Sequence, residues 1–286
     1  MSIDLLRKDL HRAIVADIVR VRPVRGLDVP NFADASSNTS TLTACAMLRR
    51  IDPGLMKTET MKGQTAGRLF ETVVINYLRS AFGLLEHLRP GAWRYSCNEP
   101  ISAYAQYEHL AALESIVKEV DTLASSLGVD YIVRPDILIG RHPIPDEEIN
   151  ARSDVVSSEE RSARLSPLRA SGEEAQPLIL HASISCKWTM RSDRAQNART
   201  EAVNLIRNRK GALPHVVAVT IEPMPTRIAS LALGTGDLDC VYHIALYELE
   251  DALREIDNAD QLEMLDTMVR GKRLRDISDL PFDLAT

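Results

Sequence analysis

The stretch Leu178–Trp188 constrains this chain more than any other. It is apolar through Ile179, Leu180, Ala182 and Ile184, and its one lysine, Lys187, comes near its end. Side chains alternate faces along a strand, so Ser183, Ser185 and Lys187 share one face and Ala182, Ile184, Cys186 and Trp188 the other. Three further β-type runs accompany it: Tyr131–Ile139, interrupted by Pro135, then Val216–Ile221 and a run near Cys240–Leu246. Proline inside the first of these implies an edge position or a bulge. Apolar spacing at helical period predicts helices over 3–19, 65–82, 102–127, 192–209, 247–256 and 259–270. Residues 21–42 read as irregular, and the polar stretch 143–176 as a loop or insertion. Helices interleaved with strands in this way make an α/β chain with a central mixed sheet flanked by helices. No linker or internal repeat interrupts it, so a single domain over 1–286 is expected.

Composition narrows the classes. With 45% hydrophobic and 26% charged residues, the chain can build a core without disulfides. Aromatic residues make up only 5%, too few for a base-stacking platform on single-stranded nucleic acid. Cys45, Cys97, Cys186 and Cys240 form no CxxC pair, which argues against a zinc site and fits a reducing cytoplasm. No apolar stretch is long enough to span a membrane, and the N-terminus has no signal core. The expected location is cytoplasmic.

The net charge is −6, yet Lys187, Arg191, Arg194, Arg199, Arg207, Arg209 and Lys210 face only Asp193 and Glu201 within their segment. A solvated helix face would look the same. Asp136 follows Pro135 on one strand, and Lys187 ends the next. A carboxylate can hold Mg²⁺, a hard cation that takes oxygen ligands. An ammonium can stabilise an attacking hydroxide and the charge that develops on phosphorus. A lysine at a strand end also reads as one that simply reaches solvent. The acid often found two residues before such a lysine is absent, because position 185 is serine. Glu201 falls at the edge of the inward face of the next helix, where it can turn back to the site or pair with Arg194 or Arg199. Arg191-Ser-Asp-Arg194 opens that helix. Arginine donates to guanine O6 and N7 and aspartate accepts from cytosine N4, so this cluster can read two consecutive G·C pairs. It can equally be a local salt bridge at a helix cap.

The run Ser183-Ile-Ser-Cys-Lys-Trp-Thr-Met-Arg-Ser-Asp-Arg-Ala-Gln-Asn-Ala-Arg199 resembles the NgoMIV family of type IIF restriction endonucleases, which recognise a CCGG core. So do Gly63–Gly67 with Phe70-Glu71, Ile206–Gly211, Arg227–Gly236 and Cys240–His243. The resemblance runs from about residue 30 to the C-terminus and is strongest after residue 178. It implies a restriction-endonuclease-like, PD-(D/E)xK fold. Asp136 matches the metal-binding aspartate, Lys187 the catalytic lysine, and Glu201 the displaced acid, with Ser185 in the acid's usual place. Glu71 matches a further active-site glutamate. Asp136, Glu201 and the Cys186 backbone carbonyl are the implied ligands of Mg²⁺, two ions per active site. Arg191, Asp193 and Arg194 match the readers of the inner CCGG, Asp34 and Arg227 the contacts to an outer G·C pair, and Gln64 a minor-groove contact. The implied target is double-stranded DNA at GCCGGC, cut after the first G to leave four-base 5′ overhangs with 5′-phosphates. A palindrome calls for a homodimer, and the resemblance adds assembly to a homotetramer. A cognate DNA methyltransferase is the expected companion. The competing readings are a repair nickase of the same fold and a DNA-binding protein that does not cleave.

Overall fold

In a computed structural model of the chain, the structure describes residues 1–286 apart from 25, 53–59, 120–132, 171–175, 191 and 235, and apart from the side chains of 114, 117, 118 and 192–195. The described strands include a six-stranded mixed sheet. Its order is β10 (Leu274–Asp276), β9 (Cys240–His243), β8 (His215–Thr220), β7 (Ile179–Lys187), β4 (Ile137–Arg141) and β3 (Trp93–Cys97). Packing divides the chain into two compact units, Met1–Arg89 with Ile184–Ala202 and Val216–Thr286, and Pro90–Ser183 with Val203–His215. β7 contributes its first half to the second unit and its last half to the first.

In the first unit β8, β9 and β10 run parallel, with Val217 opposite Cys240 and Val241 opposite Leu274. Helix α1 (Ile3–Asp17) starts where the Ser2 hydroxyl accepts the Leu5 N–H at 3.2 Å. Leu6, Leu10 and Ile14 recur on its buried face, and it packs on α3 (Gly63–Gly83), which buries Phe70, Val74 and Leu78. A buried ion cluster ties α1 to the C-terminal part of the chain. Arg7 donates to both Glu248 oxygens, at 2.8 and 2.6 Å, and to both Asp276 oxygens, at 2.9 Å each. Burial alone would push these carboxyls up, but the Arg7 bonds outweigh it and hold both below their usual range.

The expected irregular stretch 21–42 is a hairpin followed by a helix. β1 (Val21–Val24) pairs antiparallel with β2 (Leu27–Pro30), and Gly26 takes φ +80° in the turn between them. α2 (Asn38–Ile51) begins at the Ser37 cap and packs on the helix Leu246–Glu255. The expected helices at 3–19, 65–82, 192–209, 247–256 and 259–270 form over Ile3–Asp17, Gly63–Gly83, Ser192–Asn208, Leu246–Glu255 and Ala259–Arg270.

In the second unit β3 and β4 pair antiparallel, Cys97 opposite Ile137. The helix expected over 102–127 starts later, at His109. Two 3₁₀ turns, Ile101–Ala103 and Ala105–Tyr107, precede α4 (His109–Glu119), and 120–132 lie outside the described residues. These turns bring the Gln106 amide to Leu180, where it accepts the backbone N–H and donates to the carbonyl, both at 2.8 Å. Of the strand expected over Tyr131–Ile139, 131–132 lie outside the described residues, 133–136 are irregular, and Ile137–Ile139 join β4; Pro135 has no N–H for a ladder. Within 143–176, Arg169 is a buried hub at 3% exposure. It forks onto Asp146 at 2.7 and 2.6 Å and caps the carbonyls of Ser162 and Ser157, so 146–169 fold around one arginine. Among the described residues, no helix is long and apolar enough to cross a membrane.

Gly140 on β4 has no room for a side chain. A Cβ there would lie 2.8 Å from the Tyr104 ring and 3.1 Å from Leu178 Cδ1. Gly140→Ala should therefore cost about 1–3 kcal/mol of stability. Urea unfolding checks this, and a loss indistinguishable from zero would contradict the packing.

Candidate active site and nucleic-acid interface

The last half of β7 is covered on both faces, with Ile184, Ser185 and Cys186 all buried. A hydroxyl there needs a partner. Ser185, at 6% exposure, donates from Oγ to Glu201 Oε2 at 2.9 Å. The serine in the usual acid position and the acid on the following helix therefore form one hydrogen-bonded pair. Lys187 stands half-buried at the strand's end, two residues on along the same face as Ser185.

The next residue, Trp188, is buried between two ring edges. Phe70 lies 5.2 Å away at 71° and Phe32 lies 6.1 Å away at 88°. Phe70 precedes Glu71 on α3, and Phe32 lies two residues before Asp34. One aromatic cluster thus holds the strand end bearing Lys187, the helix bearing Glu71, and the loop bearing Asp34. Glu71 is half-buried, and Gln64 is exposed on the first turn of α3.

Asp34 and Arg227, distant in sequence, form an ion pair at 2.5 Å, each with about a third of its side chain exposed. Asp34 also accepts the Ser36 hydroxyl at 2.6 Å and the Ser36 N–H at 3.0 Å. The Ser36 and Arg227 bonds hold its carboxyl far below the usual range. Arg191 lies outside the described residues, as do the side chains of Asp193 and Arg194. The helix Ser192–Asn208, which carries Asp193 and Arg194, follows β7 after residues 188–191. Further along it, the Arg199 guanidinium rests against Gly234, where any Cβ would displace it.

Asp136 belongs to the second unit. It is half-buried between Pro135, whose carbonyl accepts the Asn98 N–H at 3.2 Å, and the first residue of β4. Among the described residues, no group of three or more His, Cys, Asp or Glu side chains gathers as a metal cluster.

The NgoMIV restriction enzyme family model matches residues 10–286. The type II restriction enzyme NgoMIV of Neisseria gonorrhoeae is 53% identical over 284 residues, covering 98% of this chain and 97% of that protein. The chain belongs to the NgoMIV restriction enzyme family. It is accordingly a type II restriction endonuclease, a sequence-specific DNA nuclease with an α/β fold around a central mixed sheet. Two solved structures are similar in part. The restriction endonuclease PspGI in complex with substrate DNA is 16% identical, with a TM-score of 0.36 over 77% of this chain and 60% of that one. The type IIF restriction endonuclease Bse634I with cognate DNA is 13% identical, with a TM-score of 0.36 over 87% of this chain and 91% of that one.

One residue of this family member escaped the sequence reading. Glu222 follows β8 and is 1% exposed, and its Oε2 accepts the Met190 N–H at 2.8 Å. Burial pushes its carboxyl up to about 7, against the pull of the Met190 amide and the Arg227 charge. Its only sequence signal is an acid between an apolar strand and Pro223.

The raised value sets a pH dependence. An acid whose proton is held more tightly in the folded state costs stability as pH rises from its ordinary value near 4.5 to about 7, and the full cost persists above that. Glu222→Gln cannot ionise. Its stability relative to wild type should improve by about 2 kcal/mol between pH 5 and pH 8. Chemical unfolding at the two pH values checks this, and a pH-independent difference would contradict it.

Proposed function

We propose that this enzyme cuts double-stranded DNA at GCCGGC, after the first G, leaving four-base 5′ overhangs. The observation that carries the catalytic part is the Ser185–Glu201 hydrogen bond beside Lys187. It supplies an oriented carboxylate where the chain otherwise offers a serine.

The reaction is hydrolysis of a phosphodiester. A water oxygen forms a bond to phosphorus, the P–O3′ bond breaks, and the products are a 5′-phosphate and a 3′-hydroxyl. Lys187 holds the attacking water by its ammonium and offsets negative charge that builds on the phosphate. Ser185 keeps Glu201 from rotating away, and Glu71 adds a further carboxylate to the site. Asp136, Glu201 and the Cys186 backbone carbonyl would hold Mg²⁺, two ions per site. These are all oxygen donors, as a hard cation requires, and Mg²⁺ takes only one or two protein carboxylates when phosphate and water complete its shell. Bound there, the metal supplies Lewis-acid stabilisation of the phosphate and lowers the pKa of water.

Recognition follows from donor and acceptor chemistry. Arg191 and Arg194 donate to the guanines of the CCGG core, and Asp193 accepts from the cytosines. Arg227 and Asp34 read the outer G·C pair in the same way, and Gln64 contacts the minor groove. The Asp34–Arg227 pair supports this reading, because its two members present an acceptor and a donor fork side by side. A single endonuclease domain over 1–286 works in the cytoplasm as a homodimer to match the palindrome, two dimers form a tetramer, and a cognate methyltransferase protects host DNA.

Plasmids with zero, one or two GCCGGC sites should be cut only with Mg²⁺, not with EDTA, and faster with two sites than with one. Lys187→Ala should slow cutting by a factor of about 10² to 10³ or more while specific binding survives. Gel analysis and end sequencing check both. Undiminished cutting by the variant would remove Lys187 from the mechanism. Nicking of one strand only would point to a repair enzyme, and binding without cutting to a non-catalytic protein.

A further inference from the structure

Two parts of the recognition surface meet at one buried carboxylate. Glu222 Oε2 accepts the N–H of Met190, the residue before Arg191, at 2.8 Å. Its Oε1 has no hydrogen-bond partner among the described residues and faces Arg227 Nη1 at 3.8 Å. The other terminal nitrogen of Arg227 bonds Asp34 at 2.5 Å.

We propose that Glu222 is a positioning residue for recognition: it registers the Arg227 guanidinium against the Met190 backbone, so that outer and inner base pairs are read in one frame. The proposal rests on the reading of Arg227 and Asp34 as contacts to the outer pair.

At 1% exposure Glu222 cannot itself touch a base. A neutral acceptor would satisfy the Met190 amide without the cost of burying a charge. An acid at this position gains its use from the second oxygen, which faces a guanidinium. Asp34 holds Arg227 from the exposed side, and its carboxylate is also the group that would turn to a cytosine. When it does so, Glu222 is the anion still fixed behind the fork. An arginine reading guanine needs its plane held, because two parallel hydrogen bonds set that geometry.

The Met190 and Met224 amides and the Arg227 guanidinium favour the Glu222 charge, and Asp34 opposes it. His243 on β9 meets the Glu222 backbone carbonyl through Nε2 at 3.1 Å. Burial pushes His243 down to about 4, so it stays neutral where Glu222 titrates.

The test compares cleavage efficiency, kcat/KM, on duplexes with the four symmetric outer pairs around CCGG and on one with a disrupted core. Glu222→Gln keeps an acceptor for the Met190 amide and removes the charge. Its preference among outer pairs should fall by about tenfold or more, the worth of one contact, while its preference for the core stays within about twofold of wild type. Glu222→Ala loses both preferences. In wild type the outer preference should weaken from pH 8 to pH 6, and in Glu222→Gln it should be flat. A Glu222→Gln enzyme that discriminates outer pairs like wild type overturns the proposal and leaves the Arg227 reading intact. A flat wild-type pH profile overturns it even if the variants fail to fold. A wild-type enzyme indifferent to the outer pair overturns both.

Discussion

A hydroxyl on a strand covered from both sides has no water to turn to, and leaving it unpaired would cost about 1–3 kcal/mol. Ser185 is in that position, and the carboxylate of Glu201 answers it at 2.9 Å. The bond serves packing and, in the proposed mechanism, chemistry as well. It satisfies the serine, and it fixes which way a helix glutamate points beside Lys187. A longer acid at position 185 would have to fit its own charge into that covered face. Here the charge comes from the helix Ser192–Asn208 instead, and the same helix opens at the segment proposed to read the inner base pairs.

Holding such a site needs rigid surroundings, and two buried clusters supply them. The Trp188–Phe70–Phe32 rings lock three segments that carry Lys187, Glu71 and Asp34. The Arg7–Glu248–Asp276 cluster ties the first helix to the C-terminal elements. Each cluster joins residues far apart in sequence, so a small displacement in one segment is passed to the others.

The helices at 3–17, 63–83 and 259–270 were legible because their apolar residues repeat at helical spacing, and β7 because its run is short and apolar. α2 was not. Its first turns are Asn, Thr and Ser, a composition that reads as loop, yet Ser40, Thr41 and Thr43 are buried. Their hydroxyls are satisfied nearby: Thr43 donates to the Thr39 carbonyl at 2.9 Å, and Ser40 Oγ accepts the Asp34 N–H at 2.9 Å. The start of the helix expected over 102–127 gave way to two 3₁₀ turns that place Gln106 on Leu180, a tertiary bond that periodicity cannot reveal. In the site, Ser185 and Glu201 were each legible as unusual, but the hydrogen bond between them was not. Glu222 was hidden altogether, since only the fold decides that an acid after β8 is buried.

The account depends most on Ser185 and Glu201 acting as one unit, and a double-mutant cycle on cleavage measures that directly. Single-turnover rates would be compared for Ser185→Ala, Glu201→Gln and the double variant. If Ser185 works by holding Glu201, the double variant should be no slower than Glu201→Gln alone, and the coupling should equal the full effect of Ser185→Ala. Effects that simply multiply would show the two residues acting independently, and would contradict the pairing as the source of the site's oriented acid.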